Sequence, residues 1–154
     1  VGARWLSADE QAVWRSWLEV TQLLADRLDR QLQRDSGLPH TYYEILVRLS
    51  EAPDRTLRMS QLAESSLSSR SRLSHAAARL EELGWVRRES CPSDRRGAFA
   101  VLTDEGMAAL EAAAPGHVAE VRANLFDPLS EAQVAQLGRI CQALVAHLEA
   151  NAKQ

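Results

Sequence analysis

From Ser7 to about Asp35 the positions Trp14, Trp17, Leu18, Thr21, Leu24, Leu28 and Leu32 step along the chain by three and four. That is the period of an amphipathic helix. Ser7-Ala8-Asp9-Glu10 has the spacing of a capping box at its start, and Gly37-Leu38-Pro39 supplies its stop. A helix of nearly thirty residues is about 40 Å long. This exceeds what a domain of this size needs to cover itself, so the overhang calls for a partner.

The next segments are shorter. Thr41-Tyr42-Tyr43-Glu44 offers a second capping box, opening a helix with Tyr42, Ile45, Leu46 and Leu49 as its apolar side and Ala52-Pro53-Asp54 as its end. Leu57 to Met59 is long enough only for a brief extended piece. A short helix follows over 60–66, then a longer one over 69–83, for which Ser68 and Ser69 are candidate N-caps. Leu73, Ala76, Ala77, Leu80 and Leu83 form its inward stripe, and Gly84 is its C-terminal glycine. So short a link between two helices predicts a helix-turn-helix.

The period then changes. Trp85 to Glu89 and Ala98 to Leu102 have strand character and flank a Pro92–Gly97 turn, which predicts a hairpin over 85–103. Thr103-Asp104 caps a helix running to about Phe126, broken at Asp127-Pro128. Ser130-Glu131-Ala132-Gln133 caps a last helix, with Val134, Leu137, Ile140, Cys141, Leu144, Val145 and Leu148 on its apolar side. The fold class is therefore mainly α with a small β-hairpin (α+β). Its element order is that of a winged helix-turn-helix lobe over 40–104, in a single domain of residues 1–154, with long helices over 7–36 and 105–152.

Composition narrows the setting. With 154 residues, 45% hydrophobic and 25% charged, the chain can bury one core. It has no apolar run long enough for a bilayer, and Val1 to Trp5 lacks a signal-peptide layout. A cytoplasmic protein without a membrane partner is expected. Two cysteines make no disulfide framework, and no Cys or His stands at metal-ligand spacing from them. His40, His75, His117 and His147 likewise show no metal spacing, so no metal and no cofactor are expected.

The net charge of −3 hides a segregation. Residues 68–97 hold seven arginines against four acids, whereas the segments on either side are both net acidic. Because salt screens exposed charges beyond about 10 Å at 0.1 M, a local basic face is what a polyanion meets. Ser68, Arg72, His75 and Arg79 lie in one row opposite the buried leucines, with Arg70, Ser71 and Ser74 beside them. Hydroxyls bond phosphate, and arginines can take guanine O6 and N7 with two bonds. A polar helix face alone is usually only solvated. One placed between a short helix and an arginine-tipped hairpin is more specific.

The stretch from Leu62 to Gly106 resembles the DNA-binding core of the MarR family of bacterial transcription regulators. The likeness rests on Leu62-Ala63-Glu64, Ser69-Arg70-Ser71, Arg79-Leu80-Glu81 followed by Gly84, Asp94-Arg95-Arg96, and Leu102-Thr103 followed by Gly106. Ser66-Leu67-Ser68 departs from the Leu-Gly-Leu of many members. The resemblance implies a homodimer with interlocking terminal helices, so that 7–36 and 105–152 are dimerisation helices. It also implies a recognition helix in each major groove and a wing whose arginine enters the minor groove. By position it implies Arg70, Ser71, Arg72, Ser74, His75, Asp94 and Arg96 as DNA-binding residues, and Ser69, Arg79 and Arg95 beside them complete the expected set. Arg96 is then the groove probe, Arg95 a phosphate contact, and Asp94 either their positioning group or an ordinary turn-forming Asp.

Family members bind small aromatic or lipophilic effectors between the dimerisation helices and the DNA-binding lobe. That implies a pocket at Trp14, Trp17, His40 and Tyr43; the competing reading of these aromatics is core or dimer interface. Cys91 lies near Arg87, Arg88, Arg95 and Arg96, which could lower its thiol pKa. The resemblance, however, puts the reactive cysteine of peroxide-sensing members near the first helix, where this chain has none. Redox sensing is therefore the lesser reading, and Cys141 is a small apolar residue.

The expectation is a homodimeric, sequence-specific regulator of double-stranded DNA, a repressor of a pseudo-palindromic operator released by an effector. It is not an enzyme. The alternative is a winged-helix module that docks an acidic protein partner. A Ser71–His75 catalytic pair ranks below both, because it lacks an orienting acid and an oxyanion hole.

Overall fold

The computed structural model describes residues 2–65 and 70–151, with the backbone alone at 64, 65, 70 and 94–96. It comprises two compact units, one ending at His117 and the other beginning at Val118. The boundary of these units falls inside a helix of the expected single domain.

In the first unit, helix α1 (Ala8–Ser36) begins at the expected capping box: Glu10 N donates to Ser7 Oγ at 3.1 Å and Ser7 N to Glu10 Oε2 at 2.7 Å. It ends at Gly37 in the left-handed region. Only its last turns are covered, at Leu28, Gln31 and Leu32; Val13, Trp14, Trp17, Leu18, Val20 and Leu23 are exposed. Helix α2 (His40–Glu51) starts one residue before Thr41, which is therefore not its cap. Pro39 occupies the cap position, and Asp29 Oδ1 of α1 accepts the His40 N–H at 2.9 Å. A tertiary acceptor replaces the local one.

Thr56–Arg58 forms strand β1, followed by helices α3 (Met59–Ser65) and α4 (Arg70–Glu82). Ser66, Leu67, Ser68 and Ser69, which would form the turn and the cap, lie outside the described residues. Helix α4 buries Leu73, Ala76, Ala77 and Leu80. Leu83, expected on the same stripe, is exposed, because the helix has already turned off at Glu82 toward Gly84. There Trp85 N donates to Leu80 O and Gly84 N to Glu81 O, both at 2.9 Å, the paired bonds of a Schellman end. The positive φ of 75° suits Gly84.

Strands β2 (Val86–Cys91) and β3 (Asp94–Leu102) form the hairpin, and the sheet order is β1-β3-β2. The brief extended piece thus becomes a paired strand, with Thr56, Leu57 and Arg58 opposite Val101, Ala100 and Phe99. It covers the edge of β3 that a bare hairpin would leave open. The core draws on Leu32, Leu46, Leu49, Leu62, Leu73, Leu80, Val86, Ala100 and Leu102, and α5 (Asp104–Val121) adds Leu110 and Ala113.

The second unit begins within α5. A π-helical turn, Arg122–Phe126, replaces the continuous helix expected to reach Phe126; Asp127 N donates to Arg122 O at 2.8 Å. Helix α6 (Glu131–Asn151) opens on the expected Ser130–Gln133 capping box. None of its 21 residues is buried.

Candidate nucleic-acid interface

Helical periodicity divides α4 into two faces. Opposite its buried residues stand Ser71, Arg72, Ser74, His75 and Arg79, all exposed. Arg70 is its first residue, and Ser69 lies outside the described residues. Arg79 Nη1 pairs with Glu82 Oε2 at 2.7 Å. That partner is one turn along the same helix, so Arg79 leans along α4 toward its C-terminal end.

Behind this face the hairpin is tied down by charge. Arg88 Nε lies 3.2 Å from Glu81 Oε2, joining β2 to α4, and Arg87 contacts Glu89 Oε1 at 2.6 Å along β2. Arg79, Arg87 and Arg88 thus have acidic partners within the lobe. They hold the scaffold; Arg70 and Arg72 stand at the start of α4, and Arg95 and Arg96 at the far end of the hairpin.

At that far end the turn is tighter than the expected Pro92–Gly97 loop. Only Pro92 and Ser93 separate the strands, and Cys91 faces Asp94. The next pair is Ser90 with Ala98, so Arg95, Arg96 and Gly97 are inserted on the β3 side of a register shift. An insertion of this kind leaves residues unpaired and bends the strand. Both arginines therefore occupy a bulge beside the tip.

Cys91 is only 5% exposed, with Sγ 3.3 Å from Ser93 Oγ. Burial removes the access that an oxidation-sensing thiol needs, whatever its arginine neighbours would do to the thiolate. Arg58 was not singled out in the sequence. Its guanidinium stands 5.4 Å from the centroid of Phe99, its cross-strand neighbour, and the Arg58 backbone N–H donates to Gln61 Oε1. Only the pairing of β1 brings this cation to the base of the wing.

Of the residues expected in an effector pocket, His40 and Tyr43 share a cluster with His117, whose ring centroid is 5.6 Å from that of His40 and 4.5 Å from that of Tyr43. Trp14 and Trp17 are not in it. Trp17 is fourteen residues before Gln31, the α1 residue at the cluster, or about 21 Å along the axis, and both tryptophans are exposed. Burial raises the Tyr43 hydroxyl above its usual range; burial and then the His40 charge lower the His117 imidazole below its own.

Among the described residues no helix is long and apolar enough to cross a membrane. No group of three or more His, Cys, Asp or Glu side chains there could hold a metal.

The helix pair α3–α4 followed by the β2–β3 hairpin, with β1 from before the pair completing its sheet, defines a winged helix-turn-helix protein, and comparison with known proteins gives the family. A MarR family model matches residues 36–97. Sco3205 of Streptomyces coelicolor, a MarR family transcriptional regulator solved in complex with DNA, is 57% identical; the match covers 95% of this chain and 92% of that one, with a TM-score of 0.89. AbsC, a MarR family regulator of the same organism, is 44% identical over 96% of this chain and 99% of its own, with a TM-score of 0.87. The HTH-type transcriptional regulator PecS of Dickeya dadantii is 30% identical over 87% of this chain and 81% of its own. The chain belongs to the MarR family of transcriptional regulators.

Proposed function

We propose that the chain acts as a homodimer binding a pseudo-palindromic operator in double-stranded DNA, as a repressor that a small aromatic or lipophilic effector releases. The observation that carries this reading is the exposed row of Ser71, Arg72, Ser74, His75 and Arg79 on α4, beside a hairpin with Arg95 and Arg96 in a bulge. A major groove admits one helix, and the narrower groove beside it attracts arginine. Ser69, Arg70 at the start of α4 and Asp94 in the wing complete the expected set. Sco3205, 57% identical and solved in complex with DNA, supports DNA as the partner. No catalytic step is required.

The dimer is supported by what each unit leaves open. Half of α1 presents Trp14, Trp17, Leu18 and Leu23 to solvent, and α6 presents Ile140, Leu144, Val145 and Leu148. A helix of 21 residues, none of them fully buried within its own chain, points to a partner surface. Two copies would set their recognition helices about 34 Å apart, one turn of duplex. Effector binding near His40 and Tyr43 would release DNA by favouring another separation.

The deciding experiment selects duplexes from a random pool and measures their affinity at two salt concentrations. A selected palindrome bound more tightly than random DNA, with steep weakening by salt, is expected. Absence of duplex binding at low salt overturns the reading in favour of docking to an acidic protein.

A further inference from the structure

Gln31 and His117 are the buried polar side chains among the described residues, 2% and 9% exposed, and they are bonded to each other. His117 Nδ1 of α5 lies 3.2 Å from Gln31 Oε1 of α1, and Gln31 Nε2 donates to Asp35 Oδ2 at 3.0 Å. The direction of this chain follows from its end. An ionised carboxylate only accepts, so Asp35 turns the amide of Gln31 with its oxygen toward His117. His117 must then donate from Nδ1, and its neutral form keeps the lone pair on Nε2.

A second proton at Nε2 would make a buried imidazolium with a poor set of neighbours. From α1 it faces the neutral Gln31, behind which the Asp35 carboxylate is held by Arg34 at 2.8 Å. From α2 it faces the rings of Tyr43 and His40. The acids near His40 are engaged there: Glu44 lies 3.9 Å from its Nδ1, and Asp29 accepts its backbone N–H. One turn further along α5, Glu120 accepts from Asn124 Nδ2 at 3.0 Å. No carboxylate bonds His117 directly among the described residues.

The helix that carries His117 is weakened just before it. Pro115 removes a backbone donor inside α5, and Gly116 is the least favourable ordinary residue in a helix. The side-chain bond from His117 to α1 therefore helps to hold this turn in place.

We infer that His117 is a proton-operated latch: its neutral imidazole fastens α5 to α1 and α2, and its protonation on acidification releases that turn and weakens operator binding. The latch stands on this geometry; its effect on the operator rests on the DNA-binding reading above. In the proposed dimer, α5 leads from the wing to the C-terminal segment. A loosened α5 lets the spacing of the recognition helices vary, and an operator of fixed half-site spacing then binds a smaller competent fraction.

The test is hydrogen exchange at pH 7.5, 6.5 and 5.5, corrected for intrinsic rates, on the wild type, His117→Gln and Gly116→Ala. In the wild type, protection across 108–121 should fall about tenfold or more by pH 5.5, since one proton can shift an opening equilibrium by up to tenfold per pH unit, while α4 stays protected. H117Q should show no such loss. G116A, whose added Cβ meets Gln31 Nε2 at an ordinary 3.4 Å, should move the loss to lower pH. A flat wild-type profile, or the same loss in H117Q, overturns the latch; if H117Q does not fold, the wild-type and G116A profiles decide.

Affinity for the selected operator is measured on the same samples. A wild type that binds no DNA at pH 7.5 refutes the DNA-binding reading and leaves the latch to be judged by exchange alone. A latch seen by exchange without a loss of affinity relative to H117Q overturns its regulatory role.

Discussion

The Thr103 hydroxyl donates to the carbonyl of Gly84 at 2.6 Å and accepts the Gly106 N–H at 3.0 Å. One side chain thus ties the end of α4 to the root of the wing and caps α5. The backbone of Gly106 lies so close to Trp85 that an added Cβ would clash with the Trp85 carbonyl oxygen. Replacing Thr103 by Val, which keeps the shape and removes both bonds, should cost about 1–3 kcal/mol. Gly106→Ala should cost upwards of about 3 kcal/mol, since backbone must move. Urea unfolding measures both; a G106A variant as stable as the wild type would refute the close approach.

These residues show what the sequence could reveal. Gly84, Thr103 and Gly106 belong to the stretch that resembles the family, and each is explained here by a turn, a cap or a tight approach. The two faces of α4 were legible because a helix repeats every 3.6 residues. Other features depend on distant partners. Three residues, Thr56 to Arg58, carry too little pattern to announce a strand, and only their pairing with β3 brings Arg58 to Phe99. Thr41 had good capping chemistry, but Asp29 from α1 already serves the start of α2. His117 and Gln31 are 86 residues apart, so no local spacing could join them.

Arg72 and Arg96 should fail in different ways. Arg72→Ala on the exposed face of α4 should cost roughly 1–3 kcal/mol at the selected operator and relax base preference at one position of each half-site. Arg96→Ala should weaken binding to all sequences alike and lower the salt slope by about 0.9 for each phosphate that the protein no longer neutralises. Fluorescence anisotropy on operator and scrambled duplexes separates the two. Affinity unchanged by both substitutions would eliminate the proposed interface.

The exposed apolar faces make the dimer testable without DNA. Leu144 projects from α6 and Trp17 from α1, both exposed in the single chain. Leu144→Asp or Trp17→Glu would place an unpaired charge in the proposed interface, a cost of several kcal/mol. Sedimentation analysis should give a dimer for the wild type and a shift toward monomer for either variant. A monomeric wild type at micromolar concentration would remove the basis for two linked recognition helices.

Cys91 should behave as a packing residue. Its thiol is buried where β2 meets the hairpin turn, so a thiol reagent should modify it only as fast as the wing opens. Mass spectrometry after brief labelling should find Cys91 unmodified under native conditions and fully modified in urea. Cys91→Ser should change peroxide sensitivity of DNA binding by less than about twofold, because a thiol without access is not oxidised selectively. Rapid native labelling would restore the oxidation-sensing reading.

The His117 environment also sets how global stability depends on pH. Its folded value is held below 6.5, first by burial and then by the His40 charge, so the unfolded chain binds the proton more readily. Stability therefore rises with pH through the window between the lowered folded value and about 6.5, and falls as pH drops through it. Tyr43 acts at the other end: burial raises its hydroxyl above 10.0, so its contribution is complete below pH 10 and is lost as the pH climbs through the folded value. Asp35 is lowered, chiefly by its Arg34 hydrogen bond and then by Gln31, so its contribution is present above about 3.8 and fades as pH falls through the folded value. Chemical unfolding from about pH 3 to 8 should give a slope below about pH 6.5 in the wild type that is reduced in His117→Gln, while the acid limb below about pH 4 persists. An unchanged slope below about pH 6.5 in that variant would mean that another group carries the proton.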